Sequence, residues 1–351
     1  MRRPIHLIPA LLAFCAACGH ADATPSQPAS VALQKSSFAD LFSLARTIEL
    51  EQPDTAPIVR LSGIDRAEDG RLLVGDVSEG NVKLFAPDGR LLAIIGRKGE
   101  GPGEFSAPRY PRFGPDGLIY VADAQNPRVQ VFDAAGKLLR GTRVDGFSGV
   151  AGFEPLPNGN YLLAVHRESD PRVLAELDTT GRVIRELLPI GNVRPAGQPD
   201  NPLWRNVSGV FLDVSGDTAY VSNTLADSLW TVHLPSGQVR RTHLAFSEEY
   251  VRPTVPRDAP RDLNGLMAWS NSFHTASVVT AAGGTLVVPF VQGVLNNGDP
   301  LLLTVRDASG RWRVVSDAPP VIGGSRNQVI AILNPGEDQV RLGLFSRTPA
   351  R

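Results

Sequence analysis

Short apolar runs recur along this chain at near-constant spacing, each bounded by turn-forming residues. A self-comparison at a shift of 47 residues aligns DGRLLVGDVSEGNVKLFAPDGRLL, starting at Asp69, with DGLIYVADAQNPRVQVFDAAGKLL, starting at Asp116. The match runs position by position: Gly70 with Gly117, Val74 with Val121, Asp76 with Asp123, Val82 with Val129, Phe85 with Phe132, and Gly89 with Gly136. Each unit reads as a turn glycine, a short apolar strand, a polar turn opened by Asp, an alternating strand, and a second turn of the D-x-x-G type. That order predicts an antiparallel meander. Weaker copies follow at 158–184, 215–239 and 282–314, and the last copy, VIAILNPGEDQVRLGLF, leaves no room for a final strand.

Four-stranded repeats of about 40 to 60 residues cannot bury both faces alone and must stack in a ring, which is the sequence signature of a β-propeller. Five complete units and an incomplete sixth predict an all-β, six-bladed propeller of four-stranded antiparallel blades. The missing strand has a candidate in LFSLARTIELE, from Leu41 to Glu51. Pairing it into the last blade closes the ring and leaves few exposed edges. The propeller is assigned to 38–351.

Gly96 to Tyr110, GRKGEGPGEFSAPRY, followed by DGLIYVADAQNPRVQVFDAAGK, resembles an NHL repeat. The whole chain is similar to the six-bladed propellers of that group found in bacterial secreted proteins and lipoproteins. The resemblance implies the fold, whereas propellers host many unrelated activities. The glycine-rich segment lacks the G-K-[ST] ending of a phosphate-binding loop and leads into a strand, so it reads as an interblade turn.

Upstream of the repeats, Arg2 and Arg3 precede an apolar stretch from Ile5 to Ala17 that is short for a membrane span, the form of a signal peptide. Small residues at Ala16 and Ala17 before Cys18 resemble a bacterial lipobox, although Cys15 stands where such motifs usually carry Leu. Lipidation of Cys18 is the expectation, and cleavage after Ala23 to give a secreted protein is the alternative. Residues 1–18 are thus a lipoprotein-type signal peptide and 19–37 a flexible tether rich in Ala, Ser, Pro and Gln. The location that follows is the bacterial cell envelope, with the membrane met through a lipid anchor only.

Charge and cysteine usage narrow the chemistry. A formal net charge of -1 argues against a general nucleic-acid binder. The only two cysteines lie within the first twenty residues, which excludes a downstream disulfide framework or Cys-based metal site. First strands of propeller blades line the channel and successive strands step outward by about 4.8 Å. His233 and His243 fall in third and fourth strands. His166 ends a second strand and His274 opens a first, so at most two histidines converge, and the His-ligated metal of the amidating lyases that share this propeller type is not reproduced.

The inner-strand segments VRLSGID, RYPRFG, FSGVAGF, WRNVSGVF and NSFHTASVV contain one carboxylate, Asp65, which disfavours a gluconolactonase-like metal site. Asp76 and Asp123 read as turn-forming side chains. Ser-Gly-Ile/Val recurs at Ser62, Ser148 and Ser208, where glycine permits crowding at the axis or serine contacts a ligand. No cofactor motif, nucleophile elbow or HExxH helix appears.

Candidate ligand residues are Arg60, Tyr110, Arg112, Trp204, Arg205, Phe273, His274 and Arg326, expected on one face. Guanidinium groups beside aromatic rings suit an anionic small molecule or glycan. An ordinary solvated rim is the plainer alternative. Ser247 to Phe273 is a long interblade connection whose RDLNGLMAWS portion is expected to form a helix at one channel mouth or a simple stabilising flap. The leading expectation is a non-enzymatic binding propeller for such a ligand or an envelope protein. The alternatives are a propeller lyase or lactonase and a structural subunit of an envelope assembly.

Overall fold

The computed structural model describes residues 34–144, 149–166, 172–191, 209–225, 228–244, 246, 250–254, 262–292, 300–325 and 327–348. Cys18 and the expected signal peptide lie outside them. Six sheets form around an axis. Blade 1 runs through Leu61–Arg66, Leu72–Asp76, Asn81–Phe85 and Leu91–Ile95, and blade 2 repeats it from Pro108–Phe113 to Leu138–Arg143. Blade 3 spans Gly149–Pro155 to Val183–Gly191, and blade 4 Val210–Ser215 to Gln238–His243. In blade 5 the first strand is split into His274–Ala276 and Thr280–Ala282, both paired with Thr285–Gln292.

Blade 6 closes the ring as the strand deficit predicts. Val321–Ser325, Gln328–Ile332 and Arg341–Arg347 are completed by Phe42–Glu49, which pairs antiparallel with Arg341–Arg347. An additional contact was invisible to periodicity, because two residues have none: Gln34 and Lys35, inside the segment assigned to the tether, pair in parallel with Arg313 and Val314 of blade 5. The chain then turns through a capped helix, Phe38–Leu41. Ser37 accepts from the Ala39 amide, and the Asp317 carboxylate receives both the Ser37 hydroxyl and the Phe38 amide at 2.7 Å. Phe38 stacks on Phe42 and meets Phe345 edge-on, both at 5.0 Å between ring centroids.

The core is divided among the blade interfaces. Leu73, Val82 and Phe105 pack with Ile119, Val121 and Phe132 between blades 1 and 2. Equivalent clusters fill the other five junctions, including Ile64, Leu72 and Phe85 against Ile330 and Leu342 across the seam between blades 6 and 1. Second strands are consequently buried on both faces, as LLVGD and IYVAD are throughout. Burial of apolar area on both sides of each sheet stabilises the ring by roughly 25 cal/mol for each Å² removed from water.

Buried aspartates fix the turns. Asp76 is fully buried and accepts from the Val59, Arg60, Ser78 and Glu79 amides, while Asp123 does the same for Ser106, Ala107, Gln125 and Asn126. Each carboxylate thus joins its turn to the incoming connection, the role expected of turn-forming side chains. In the glycine-rich connection, Arg97–Lys98 pairs in parallel with Glu104–Phe105, and Arg97 holds Glu104 at 2.7 and 2.9 Å. It is an interblade turn, as expected.

Candidate functional site

The first strands of the six blades enclose a central channel of about 2640 Å³. Inner strands must approach closely here, and Gly63 shows why: a Cβ at that position would fall 2.2 Å from the Arg109 carbonyl oxygen of blade 2. Beside it, the Ser62 hydroxyl donates to the Pro108 carbonyl at 2.7 Å. The first Ser-Gly-Ile triplet is therefore an interblade contact. Ser148 and Ser208 lie outside the described residues.

One level of the channel carries charge from four blades. Asp65, Arg112, Glu154 and Asp213 pair with Leu73, Tyr120, Leu162 and Tyr220 of their second strands, and Thr280 pairs with Val287. Arg112 Nε donates to Glu154 Oε1 at 2.5 Å, joining blades 2 and 3, and its Nη1 donates to the Pro111 carbonyl at 3.0 Å. Asp65 accepts from the Phe113 amide at 2.7 Å, joining blades 1 and 2. Asp213 repeats that contact one register on, accepting from the Ala281 amide of blade 5 at 2.6 Å. These side chains are crosslinks between adjacent inner strands.

Three carboxylates thus face a single guanidinium in a confined space. Burial is the main influence on Glu154 and, with Asp213 and Asp65 adding to it, pushes its carboxyl up to about 8 against the pull of Arg112. Burial also raises Asp65 and Asp213, opposed in Asp65 first by Arg112 and in Asp213 first by the Ala281 amide. Arg112 is held charged by the same carboxylates in spite of its own burial. The Arg112 and Glu154 side chains remain 17% and 14% exposed, so channel solvent reaches the pair.

This corrects the expectation that Asp65 is the only carboxylate of the inner strands. The strands run past Phe153 and Phe211 to include Glu154 and Asp213. A signal was present: Asp65, Arg112 and Glu154 each stand five residues before a turn glycine, Gly70, Gly117 and Gly159. Among the described residues, no group of three or more His, Cys, Asp or Glu is arranged to hold a metal ion.

The described members of the expected ligand set do not gather at one rim. Arg60, Tyr110 and Arg112 line the channel, but Arg60 precedes the blade 1 strand whereas Arg112 stands next to the far end of its own. The registers separate their levels by roughly five residues, about 16 Å. Arg109, not singled out from the sequence, is exposed near Arg60 and Tyr110 on the same wall. Trp204, Arg205 and Arg326 lie outside the described residues.

Phe273 and His274 are buried, at 1% and 6% exposure, and neither lines the channel. Phe273 packs edge-on against Trp269 of the helix Leu263–Ser270, and His274 stacks on Tyr250. The expected helix is therefore present, while the described residues of the insertion before Thr275 contribute nothing to the channel wall.

The described channel walls hold eight carboxylates against five guanidinium groups.

A family model described as a 6-bladed beta-propeller matches residues 28–192. No curated protein matches the chain. Among solved structures, a candidate exported protein from Bacteroides fragilis is similar, with a TM-score of 0.61 and 15% identity over 90% of this chain and 99% of the other. A member of the DUF4221 family from Bacteroides vulgatus gives 0.62 and 13% over 88% and 98%. The structure of U3-55K is a third likeness, with a TM-score of 0.54 and 11% identity over 88% of this chain and 99% of the other. At these identities the likeness is one of fold, and with the six closed sheets it establishes this chain as a six-bladed β-propeller.

Proposed function

We propose that the protein is an exported, non-enzymatic binding propeller, anchored through Cys18, that takes an anionic small molecule or glycan at the channel mouth around Arg60, Arg109 and Tyr110. The observation carrying this reading is that two exposed guanidinium groups from adjacent blades border an open channel. A ligand with one anionic end is then held by its charged group at the mouth. Arginine suits that role because its fork binds carboxylate or phosphate bidentately. An envelope protein presenting an acidic segment would use the same contacts. The signal sequence supports export, and the Ala16-Ala17-Cys18 motif supports the anchor.

The test is binding of a panel of anionic metabolites and acidic glycans to wild type, Arg60→Ala and Arg109→Ala. Loss of one charged hydrogen bond weakens binding by about 1.5 to 3 kcal/mol, roughly 10- to 100-fold. If no anion binds, or all three proteins bind equally, the mouth is solvated surface. Cys18→Ser should move the protein from membranes to the soluble fraction, and unchanged attachment rules out the anchor.

A second reading is favoured by one observation: a carboxyl held near 8, as in Glu154, is protonated at neutral pH and could serve a lyase or lactonase as a general acid. It requires turnover that Glu154→Gln abolishes.

A further inference from the structure

The buried ring of His274 sits where the insertion after blade 4 meets the first strand of blade 5. The His274 amide donates to the Val251 carbonyl at 2.9 Å, and the Val251 amide donates back to His274 Nδ1 at 2.7 Å. One main-chain and one side-chain bond therefore clamp the same residue. Tyr250 lies over the ring at 5.7 Å between centroids and stacks on Phe246 at 3.9 Å. Further on, Trp269 donates to the Thr254 carbonyl at 2.8 Å. Within the segment Val251 is half-exposed and Arg252 and Thr254 are exposed, while Pro253 is buried and Tyr250 packs edge-on against Phe290.

The direction of the Val251 bond fixes the state of the ring. Nδ1 accepts only while it carries no proton, so the clamp requires neutral imidazole with its proton on Nε2. Protonation places two N–H donors face to face and leaves a buried charge. We propose that His274 is a proton-operated latch that fastens residues 250–254 to the inner edge of blade 5 at neutral pH and releases them in acid.

Among the described residues, burial is the influence on the ring and no charged partner is found. Tyr250 is the titratable group stacked on it, Arg252 lies over the neighbouring Phe246 ring at 5.8 Å, and the helix presents the aromatic Trp269 and Phe273. Burial lowers His274 from its ordinary value of 6.5. The released ring titrates near that ordinary value, so the latched form is fully present above it and is lost as pH falls below. Each pH unit shifts the latched-to-released ratio about tenfold until the latched ring itself takes the proton. Thr275 and Ala276, the next residues, line the channel, and the Ala276 amide donates to the Thr224 carbonyl of blade 4. Release therefore occurs next to the channel wall.

The experiment is amide hydrogen exchange of the full propeller from pH 8 to 5, with each rate divided by the chemical exchange rate at that pH. NMR titration of the His274 ring accompanies it. Protection of 250–254 should fall about tenfold per pH unit below the released-ring value while Thr218–Asn223 stays protected, and the Val251 amide should follow the ring titration. In His274→Asn, the amide oxygen can occupy the place of Nδ1 without titrating. Whatever protection that variant keeps, its pH dependence must vanish. Flat protection in wild type, a His274 ring that titrates at or above its ordinary value, or pH dependence that persists in His274→Asn overturns the latch.

Discussion

Arg60 and Arg112 line one channel, yet they do opposite things. At the mouth Arg60 is exposed, as is its neighbour Arg109. Deeper in, Arg112 is tied to Glu154 and surrounded by Asp65 and Asp213. The difference teaches that the level along an inner strand decides what an arginine can do. Near an open end, solvent screens the charge and a ligand can compete for it. Where six strands converge, a lone cation is too costly, and the fold supplies carboxylates from other blades.

Arg112→Met should produce the largest effect. It leaves Asp65 and Asp213 without their nearest cation, and breaking a buried pair from one side costs about 3 to 5 kcal/mol. Urea unfolding at pH 7 measures this loss. The loss should shrink as pH falls, because Asp65 and Asp213 have folded-state values above their ordinary ones and lose their charge on protonation. For the same reason, wild-type stability should decline from this site as pH rises from about 5 through 8, and Glu154→Gln should flatten that decline. A full-sized, pH-independent penalty in Arg112→Met would mean that the residue acts by packing instead.

An intermediate effect is expected from Gly63→Ala. Its methyl group would lie 2.2 Å from a main-chain oxygen, which cannot give way as a flexible side chain could. Overpacking of this kind costs about 1 to 3 kcal/mol. Thermal melting at neutral pH is the check, and an unchanged melting temperature would show that blades 1 and 2 can separate at the axis.

The smallest effect on stability belongs to the mouth. Arg60→Ala and Arg109→Ala should each stay within about 0.5 kcal/mol of wild type in the same urea experiment. A loss comparable to that of Arg112→Met would erase the contrast between the two levels.

The architecture was legible because turn glycines and buried Asp76 and Asp123 recur in step with the apolar strands. The closing strand was legible as well, since Phe42 to Glu49 had no other partner. The charged level was missed because the inner strands have irregular registers, with shifts at Leu61/Gly63 and Val150/Gly152, so their ends are not fixed by counting from their starts. His274 was placed in the right strand but given the wrong neighbours. What surrounds it comes from the insertion, whose path is set by Tyr250 and Trp269 packing that has no periodic trace in the sequence. Arg109 escaped notice because an exposed arginine looks alike wherever it stands.

The closing strand also orders events in time. Phe42–Glu49 leaves the ribosome long before Arg341–Arg347, the strand it pairs with. Blades 1 to 5 can form from local hairpins as they emerge, but the seam must wait for the last residues. Non-local pairing of this kind slows folding, and apolar faces left open during the wait favour aggregation. Until synthesis ends, the Phe38, Phe42 and Ile48 surfaces have no blade 6 to cover them. A chain truncated before Arg341 should therefore fail as a whole ring, and would be a natural substrate for chaperones and proteases.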